Sequence, residues 1–264
     1  MKSESYEIYF HTQHYVLEAG KLIKSLLENP LDIDTKKNEH DFVTNIDRMV
    51  ELFLVEKIKK MFPSHTIISE EGYGDTAVDW SGYVWGIDPI DGTSNLVYKR
   101  KDFAISVGLY RNGIGILGFI YDVANDILYS VLQGEGIFIN GIKVAPRQDK
   151  KLKDSTFYCR FNYIYSNEYN VRDVINNCRH LGYMPCASLG FVELALGNID
   201  IMLGKGHMKF WDIAAGKIFA DEANILFKEL DGTDYSLLTA TEKDIIACGP
   251  NLYKEFATMH LFKT

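Results

Sequence analysis

Two segments near the N-terminus carry apolar residues at the spacing of amphipathic helices. The first ends before Pro30 and predicts a helix over residues 4–28, with the apolar positions Ala19, Leu22, Ile23, Leu26 and Leu27. The second starts with the capping-box pattern Thr44-x-x-Asp47 and ends before Pro63, with the apolar positions Ile46, Val50, Phe53, Leu54, Ile58 and Met61. We therefore expect Asp47 in the first turn of a helix.

Between residues 66 and 132 the pattern changes to short apolar runs that predict strands. These cover residues 66–69, 83–88, 103–109, 114–121 and 127–132. The turn sequences Arg111-Asn112-Gly113 and Ala124-Asn125-Asp126 predict that the later strands form antiparallel hairpins.

A polar, lysine-rich stretch over residues 146–154 separates this region from one in which strands and helices alternate. Strands are predicted over residues 156–159, 199–203, 225–230 and 245–248, and helices over residues 171–181, 213–222 and 252–261. We therefore expect two lobes, an N-terminal α+β lobe over residues 1–145 and a C-terminal α/β lobe over residues 146–264 that carries Asp212.

The composition is that of a globular protein, with 47% hydrophobic residues, 24% charged residues and a formal net charge of −8 over 264 residues. An acidic protein repels phosphodiester backbones and anionic lipids, so nucleic acids and membrane surfaces are not expected partners. An anionic substrate would need a local positive charge. A divalent metal ion is the obvious source of that charge.

The cysteines and the apolar runs indicate the cellular compartment in which the protein is expected. The four cysteines are widely spaced and form neither a C-x-x-C pair nor a zinc-type cluster, which favours reduced thiols. The N-terminus lacks the apolar run of a signal peptide, and the most apolar stretch, residues 103–123, is interrupted by Arg111 and Asn112. We therefore predict a cytoplasmic protein.

The segment from Gly113 to Gly118 has the letters G-x-G-x-x-G of a dinucleotide-binding loop. It follows a hairpin turn and continues into another apolar run, whereas a dinucleotide loop opens a helix. We interpret it as part of a strand in which glycines allow a bulge or close packing. His11 and His14 have helical spacing but no third ligand nearby in the sequence, which is typical of a solvated helix face.

The strongest chemical signal is the segment Trp85-Gly86-Ile87-Asp88-Pro89-Ile90-Asp91-Gly92-Thr93-Ser94-Asn95. Two carboxylates on one tight turn repel each other unless a cation lies between them, and such oxygen ligands suit Mg²⁺. The amides of Gly92, Thr93 and Ser94, at the start of a predicted short helix, could hold a phosphate oxygen. The alternative is a surface turn in which Asp91 caps the helix.

Three other segments add acids. Glu70 and Glu71 follow a predicted strand, and Glu70 is the one expected to face inward. Asp41 precedes the second helix and Asp47 lies in its first turn, where capping alone would explain it. Asp212 begins a helix of small residues in Phe210-Trp211-Asp212-Ile213-Ala214-Ala215-Gly216, and it too could be only a cap.

Together these segments resemble the inositol monophosphatase family of Mg²⁺-dependent, lithium-sensitive phosphatases. The matching patterns are D-x-V-T-x-x-D, S-E-E-G, W-x-I-D-P-I-D-G-T-x-N and W-D-x-A-A-G, in this order and spread over most of the chain. The resemblance implies an α/β (α+β) fold, a five-layered α-β-α-β-α sandwich with mixed and antiparallel sheets. It also implies a homodimer.

The resemblance implies ligands and roles as well. One Mg²⁺ would bind Glu70, Asp88 and the carbonyl oxygen of Ile90, a second would bind Asp88, Asp91 and Asp212, and a weaker third would lie near Glu70. The predicted catalytic residues are Thr93, Asp47 and Glu70. Thr93 would be hydrogen-bonded to Asp47 and would orient the attacking water. The predicted substrate-binding residues are Gly92, Thr93, Ser94, Lys205, Ala187 and Lys36.

Lys205 departs from the pattern of inositol-selective members, which often carry an acid six residues before the tryptophan of W-D. A lysine donates hydrogen bonds but cannot accept them, and it favours an additional anion. The loop over residues 31–40 resembles the family's mobile segment, with Lys36 or Lys37 near the phosphate. A solvated loop is the alternative interpretation.

The expected function is hydrolysis of inositol 1-phosphate and related phosphate monoesters. The alternatives within the superfamily are an NADP(H) 2′-phosphatase, a fructose-1,6-bisphosphatase and a 3′-phosphoadenosine 5′-phosphate phosphatase. Outside it, a glycosidase using Glu70 and a second carboxylate would need no metal. A non-catalytic cation-binding role fits poorly with Thr93 beside Asp91.

Overall fold

The computed structural model describes residues 2–35, 42–76, 80–205, 208–237 and 243–258. The α-helices in these ranges are α1 (Lys2–Leu26), α2 (Asn45–Met61), α3 (Thr93–Lys99), α4 (Phe161–Ser166), α5 (Val171–Asn177), α6 (Ala187–Leu196), α7 (Phe210–Glu222) and α8 (Pro250–Thr258). The strands are β1 (Ile33–Thr35), β2 (Phe42–Thr44), β3 (Thr66–Ser69), β4 (Tyr83–Asp91), β5 (Ala104–Arg111), β6 (Ile114–Asp122), β7 (Ile127–Leu132), β8 (Gly136–Ile139), β9 (Ile142–Lys143), β10 (Thr156–Cys159), β11 (His180–Leu181), β12 (Ile201–Lys205), β13 (Leu226–Glu229) and β14 (Asp244–Cys248).

The chain groups into two compact units. Unit 1 comprises residues 1–144, 185–189 and 210–219, and unit 2 comprises residues 145–184, 190–209 and 220–264. The break after residue 144 lies next to the predicted lobe boundary. Two later segments return to unit 1, however, so Asp212, which we expected in the C-terminal lobe, groups with unit 1.

Unit 1 is built on a seven-stranded sheet in the order β3-β4-β5-β6-β7-β8-β9. β3 pairs with β4 in parallel, and the other neighbours are antiparallel. Helices α1 and α2 supply apolar side chains to a core that includes Trp85 and Phe119 of the sheet. Because side chains alternate along a strand, the neighbours of these core residues face the opposite side.

Helix α7 covers that opposite side at very close range. A Cβ atom on Gly108 would lie 2.7 Å from backbone atoms of Ala214 and Ala215, and one on Gly86 would lie 2.5 Å from the Cβ of Ala214. Only glycine permits this approach of helix to sheet. Asp88 is two residues beyond Gly86 and therefore shares the face on which α7 lies.

Unit 2 contains a five-stranded mixed sheet in the order β11-β10-β12-β14-β13. β10 pairs in parallel with both β11 and β12, and β14 pairs antiparallel with β12 and β13. Its core includes Phe157, Ile201, Leu203, Ile246 and Leu252. The mixed α/β class with mixed and antiparallel sheets is thus confirmed.

Several element predictions need correction. The helix predicted over residues 171–181 ends at Asn177, and residues 180–181 instead form the edge strand β11. Helix α6 was not predicted at all. The G-x-G-x-x-G segment is confirmed as part of a strand, since β6 runs from Ile114 to Asp122. A Cβ atom on Gly115 would lie 2.5 Å from Ile218 of α7, so close packing explains that glycine.

Two global features complete the fold. No disulfide joins the four cysteines, all of which lie in described segments, and Cys159 and Cys248 are buried. Among the described helices, none combines the length and apolarity required to cross a bilayer.

Candidate active site

Asp88 lies in the buried part of β4, three residues before the strand ends at Asp91. Its side chain is 3% exposed, and its Oδ1 accepts a hydrogen bond of 2.9 Å from the backbone amide of Ile90. The pairing of β4 with β5 shifts register between Asp88 and Asp91, which is the signature of a bulge. This irregularity brings both aspartates, three residues apart, to the end of one strand.

Four carboxylates influence one another at this point. Burial raises the pKa of Asp88 well above its ordinary value, and the negative charges of Glu70, Asp91 and Asp212 raise it further, as does a hydrogen bond with Glu70. These acids come from the end of β3, from β4 and from the first turn of α7. Glu70 is the member of the Glu70-Glu71 pair whose charge acts on Asp88.

The donor set suits a hard divalent cation, because it consists of carboxylate oxygens around the buried Asp88, where their negative charges act on one another. Ser106 lies opposite Asp88 in the sheet register, and its buried hydroxyl has no hydrogen-bond partner among the described residues. Within those residues, no three acid, histidine or cysteine side chains are arranged to hold a metal ion as they stand. Glu70 and Asp212 are only half-buried, so rotation about their side-chain bonds can turn their carboxylates toward Asp88 and Asp91.

Asp91 is held by donors from a distant segment. Both the backbone amide and the hydroxyl of Ser188 lie 2.5 Å from its Oδ2. Burial raises the pKa of Asp91, while hydrogen bonds from Ser188 and from the thiol of Cys186 oppose that rise. Ser188 was missed by the sequence reasoning, which named only its neighbour Ala187.

Asp47 combines two functions at the start of α2. One oxygen, Oδ2, accepts from the amide of Thr44 at 2.9 Å and from its hydroxyl at 2.5 Å, which completes the predicted capping box. The other, Oδ1, lies 2.9 Å from the hydroxyl of Thr93. Burial raises the pKa of Asp47, and these hydrogen bonds oppose it. The Thr93 hydroxyl also lies 3.1 Å from the carbonyl oxygen of Ile90, so two acceptors are within hydrogen-bond distance of it.

Glu51 organises the loop that carries Glu70, and the sequence reasoning missed it. It is fully buried in α2. Its Oε1 accepts from the hydroxyl of Ser69 at 2.7 Å and from the amide of Tyr73 at 2.9 Å, and its Oε2 accepts from the amide of Glu71 at 2.6 Å. The sequence signal was an acid on the apolar stripe of a helix, a position that is costly without such partners.

The remaining predicted residues are distributed as follows. Gly92 caps α3 with φ of +92°, and Ser94 is exposed in the first turn of that helix. Ala187 is the first residue of α6, next to Ser188. Lys205 ends β12 in unit 2. Lys36, Lys37 and Asp41 lie outside the described residues.

A separate cavity of about 560 Å³ lies in unit 1, lined in part by Tyr6, Arg111, Ile114 and Glu135. None of the four clustered acids lines it. The cavity is therefore distinct from the candidate active site. On α1, His14 is exposed, as predicted for a solvated face, and its Nε2 lies 3.2 Å from the carboxylate of Glu18. His11 is instead half-buried, with its ring edge-on to that of Phe62.

Comparison with known proteins finds one family whose model matches nearly the whole chain. The model of the inositol monophosphatase family matches residues 5–261. The inositol-1-monophosphatase of Bacillus subtilis is 33% identical over 244 residues, which cover 91% of each chain.

Several solved structures have a fold similar to that of this chain. Crystal structures of SaIMPase-II bound to inositol monophosphate and to 2′AMP are 29% and 30% identical to this chain, each with a TM-score of 0.82. The matches cover 97% of this chain and 93% and 94% of those chains. An IMPase/NADP phosphatase complexed with Mg²⁺ and phosphate has a TM-score of 0.86 at 24% identity, covering 97% of this chain and 95% of that one, and so shares the fold.

Proposed function

Because the chain belongs to the inositol monophosphatase family and is therefore a phosphoric monoester hydrolase, we propose that it hydrolyses inositol 1-phosphate and related small phosphate monoesters with the help of two or three Mg²⁺ ions. The observation that carries this proposal is that the carboxylates of Glu70, Asp91 and Asp212 lie close enough to the buried Asp88 for their charges to act on it. A phosphatase needs to concentrate positive charge at its substrate, and these acids are suited to recruit it.

Glu70, Asp88, Asp91, Asp212 and the carbonyl oxygen of Ile90 would hold the ions. When bound, divalent cations offset the charge of a phosphate ester and make water a better nucleophile at neutral pH. Asp88 is buried and Asp91 half-buried, and hydrogen bonds from Ile90 and Ser188 restrain these two ligands. Glu51 does the same for the loop that carries Glu70.

Thr93 and Asp47 would orient the attacking water. The Asp47 oxygen that accepts from Thr93 is not the one used by the helix cap, so it is available to take proton density from the hydroxyl. The lone pairs of the Thr93 hydroxyl can in turn accept a hydrogen bond from water. The water oxygen forms a bond to phosphorus and gives up a proton, the ester P–O bond breaks, and the leaving oxygen takes up a proton in its place to become the alcohol.

The test is phosphate release from inositol 1-phosphate in three conditions, with Mg²⁺, with a chelator and with Mg²⁺ plus Li⁺. We expect activity with Mg²⁺, its loss on chelation and its inhibition by Li⁺. Activity that survives complete chelation, or no release from any monoester in a panel of sugar, inositol and nucleotide phosphates, would refute the proposal.

The substrate panel also bears on a second candidate function, a nucleotide 2′-phosphatase acting on NADP. Lys205 favours a substrate with a second anionic group, and SaIMPase-II has been crystallised with 2′AMP. Lys205→Glu is expected to raise the ratio of inositol 1-phosphate to NADP hydrolysis. An unchanged ratio would remove Lys205 from the specificity residues.

Three further expectations belong to this proposal. We expect a homodimer, which light scattering would test, and a cytoplasmic location, which fractionation would test. Gly92, Ser94, Ala187 and Lys36 would contact the substrate. Membership of a phosphatase family contradicts the alternative of a metal-independent glycosidase.

A further inference from the structure

The N-terminal turn of α6 makes an unusual connection to the acidic cluster. Ser188 is fully buried and 97 residues away from Asp91 in the chain, yet it directs both its backbone amide and its hydroxyl at the same carboxylate oxygen. Residues 185–189 group with unit 1, whereas the segments on either side of them group with unit 2. A specific set of contacts therefore holds this short segment beside Asp91.

Two contacts fix the start of the same segment. The side-chain amide of Asn95 donates to the carbonyl oxygen of Pro185 at 2.7 Å and to that of Asp102 at 2.9 Å. A Cβ atom on Gly92 would lie 3.1 Å from the Cβ of Cys186, so the turn after Asp91 packs directly against the segment. Pro185 and Ser188 are thus both anchored to the turn that carries Asp91.

The two hydrogen bonds from Ser188 restrict the orientation in which Asp91 can meet an ion. A carboxylate with one oxygen held by two donors cannot rotate freely, so its other oxygen is presented in one direction. We propose that Ser188 is a positioning residue that fixes the Asp91 carboxylate in the orientation required to bind a divalent cation. The inference rests on the proposed function, in which Asp91 is a ligand.

The experiment compares two buried serines in unit 1. Ser188→Ala removes the hydroxyl bonded to Asp91 but keeps the backbone amide. Ser130→Ala removes a hydroxyl that is equally buried and is bonded to Tyr9 at 2.7 Å, well away from the acids in sequence. Mg²⁺ binding to each metal-free protein is measured by titration calorimetry without substrate. Thermal unfolding in chelator reports any loss of stability.

We expect Ser188→Ala to bind Mg²⁺ about 10-fold more weakly, since loss of a hydrogen bond to a metal ligand typically has an effect of this order. The Mg²⁺ concentration for half-maximal phosphatase activity should rise in parallel, and saturating Mg²⁺ should restore most of the turnover. Ser130→Ala should lower the melting temperature without changing Mg²⁺ affinity. Equal Mg²⁺ affinity of Ser188→Ala and the wild type would overturn the inference, whereas a wild-type protein that binds no Mg²⁺ would overturn the proposed function itself.

Discussion

At the scale of single residues, Asp47 illustrates how one side chain serves the fold and the site together. Its Oδ2 completes the cap of α2, and its Oδ1 contacts Thr93, which lies 46 residues later. The cap fixes the carboxylate in space, because two hydrogen bonds from Thr44 restrain it. Thr93 therefore meets an acceptor whose position is already determined by local structure.

We predict that Thr93→Val lowers kcat by about 100-fold or more at saturating Mg²⁺, because it removes the hydroxyl while keeping the shape of the side chain. Thr93→Ser keeps the hydroxyl and should retain most of the activity. Steady-state phosphate release measures both, and calorimetry should show unchanged Mg²⁺ binding. A Thr93→Val enzyme with nearly wild-type kcat would show that the hydroxyl does not assist the water.

The sequence allowed the acids of the cluster to be predicted, but not the residues that hold them. Glu70, Asp88, Asp91 and Asp212 stand in recognisable motifs, and the structure brings their charges together. Ser188 carries no local signal, because its partner Asp91 is reached only through the tertiary fold. The same is true of Glu51, whose three donors come from the end of β3 and the loop that follows it, at least 18 residues later.

At the scale of elements, the glycines of β4 and β5 set the position of α7 and therefore of Asp212. The hydroxyl of Tyr110 donates to the carbonyl oxygen of Ala214 at 2.7 Å, which adds a directional contact to the close packing. Asp212 precedes Ala214 by two residues in the same helix. A change in the distance between α7 and the sheet would move this carboxylate relative to Asp88.

Gly108→Ala is predicted to lower the free energy of unfolding by about 1–3 kcal/mol, because its Cβ would meet backbone atoms that cannot rotate away. The matched control is Gly204→Ala in β12, where an added Cβ has nothing within 4 Å. Urea unfolding in chelator compares the two. Calorimetry should also find weaker Mg²⁺ binding in Gly108→Ala, whereas equal stability of the two variants would contradict the packing argument.

The predictions from sequence were wrong for two elements. One is formed by pairing with a distant strand, and the other is apolar on all sides. α5 ends at Asn177, and the next residue, Cys178, is already extended before β11 pairs in parallel with β10. The residues between α5 and β11, Cys178 and Arg179, give no local sign of that pairing. α6 has apolar residues on all sides, including Leu189, Phe191 and Val192, so no amphipathic stripe marks it.

At the scale of the whole molecule, the stability of the folded protein also depends on His65, which is not part of the acidic cluster. His65 is 7% exposed, and its Nδ1 accepts a hydrogen bond of 3.1 Å from Trp85 Nε1. Its ring stacks on those of Phe62 and Tyr83. Burial disfavours the imidazolium and lowers the pKa of His65 from 6.5 to about 4. The folded state therefore binds fewer protons than the unfolded chain between these values.

It follows that the contribution of His65 to stability is present above pH 6.5 and is lost as the pH falls toward 4. We predict that this contribution decreases by about 2 kcal/mol between pH 7.5 and pH 5. His65→Gln keeps an acceptor for Trp85 but does not titrate, so the difference in unfolding free energy between wild type and variant should shrink over this range. Parallel pH curves for the two proteins would show that His65 titrates normally.

We propose above that divalent ions bind beside Thr93, held together by Glu70, Asp88, Asp91 and Asp212. Anomalous diffraction from a crystal soaked in Mn²⁺ tests it most directly, because Mn²⁺ takes the same oxygen ligands as Mg²⁺ and its position can be located without assumptions about the protein. We predict anomalous peaks about 2.0–2.3 Å from carboxylate oxygens of these four residues. Peaks elsewhere, or none at Mn²⁺ concentrations that support phosphate release, would contradict it.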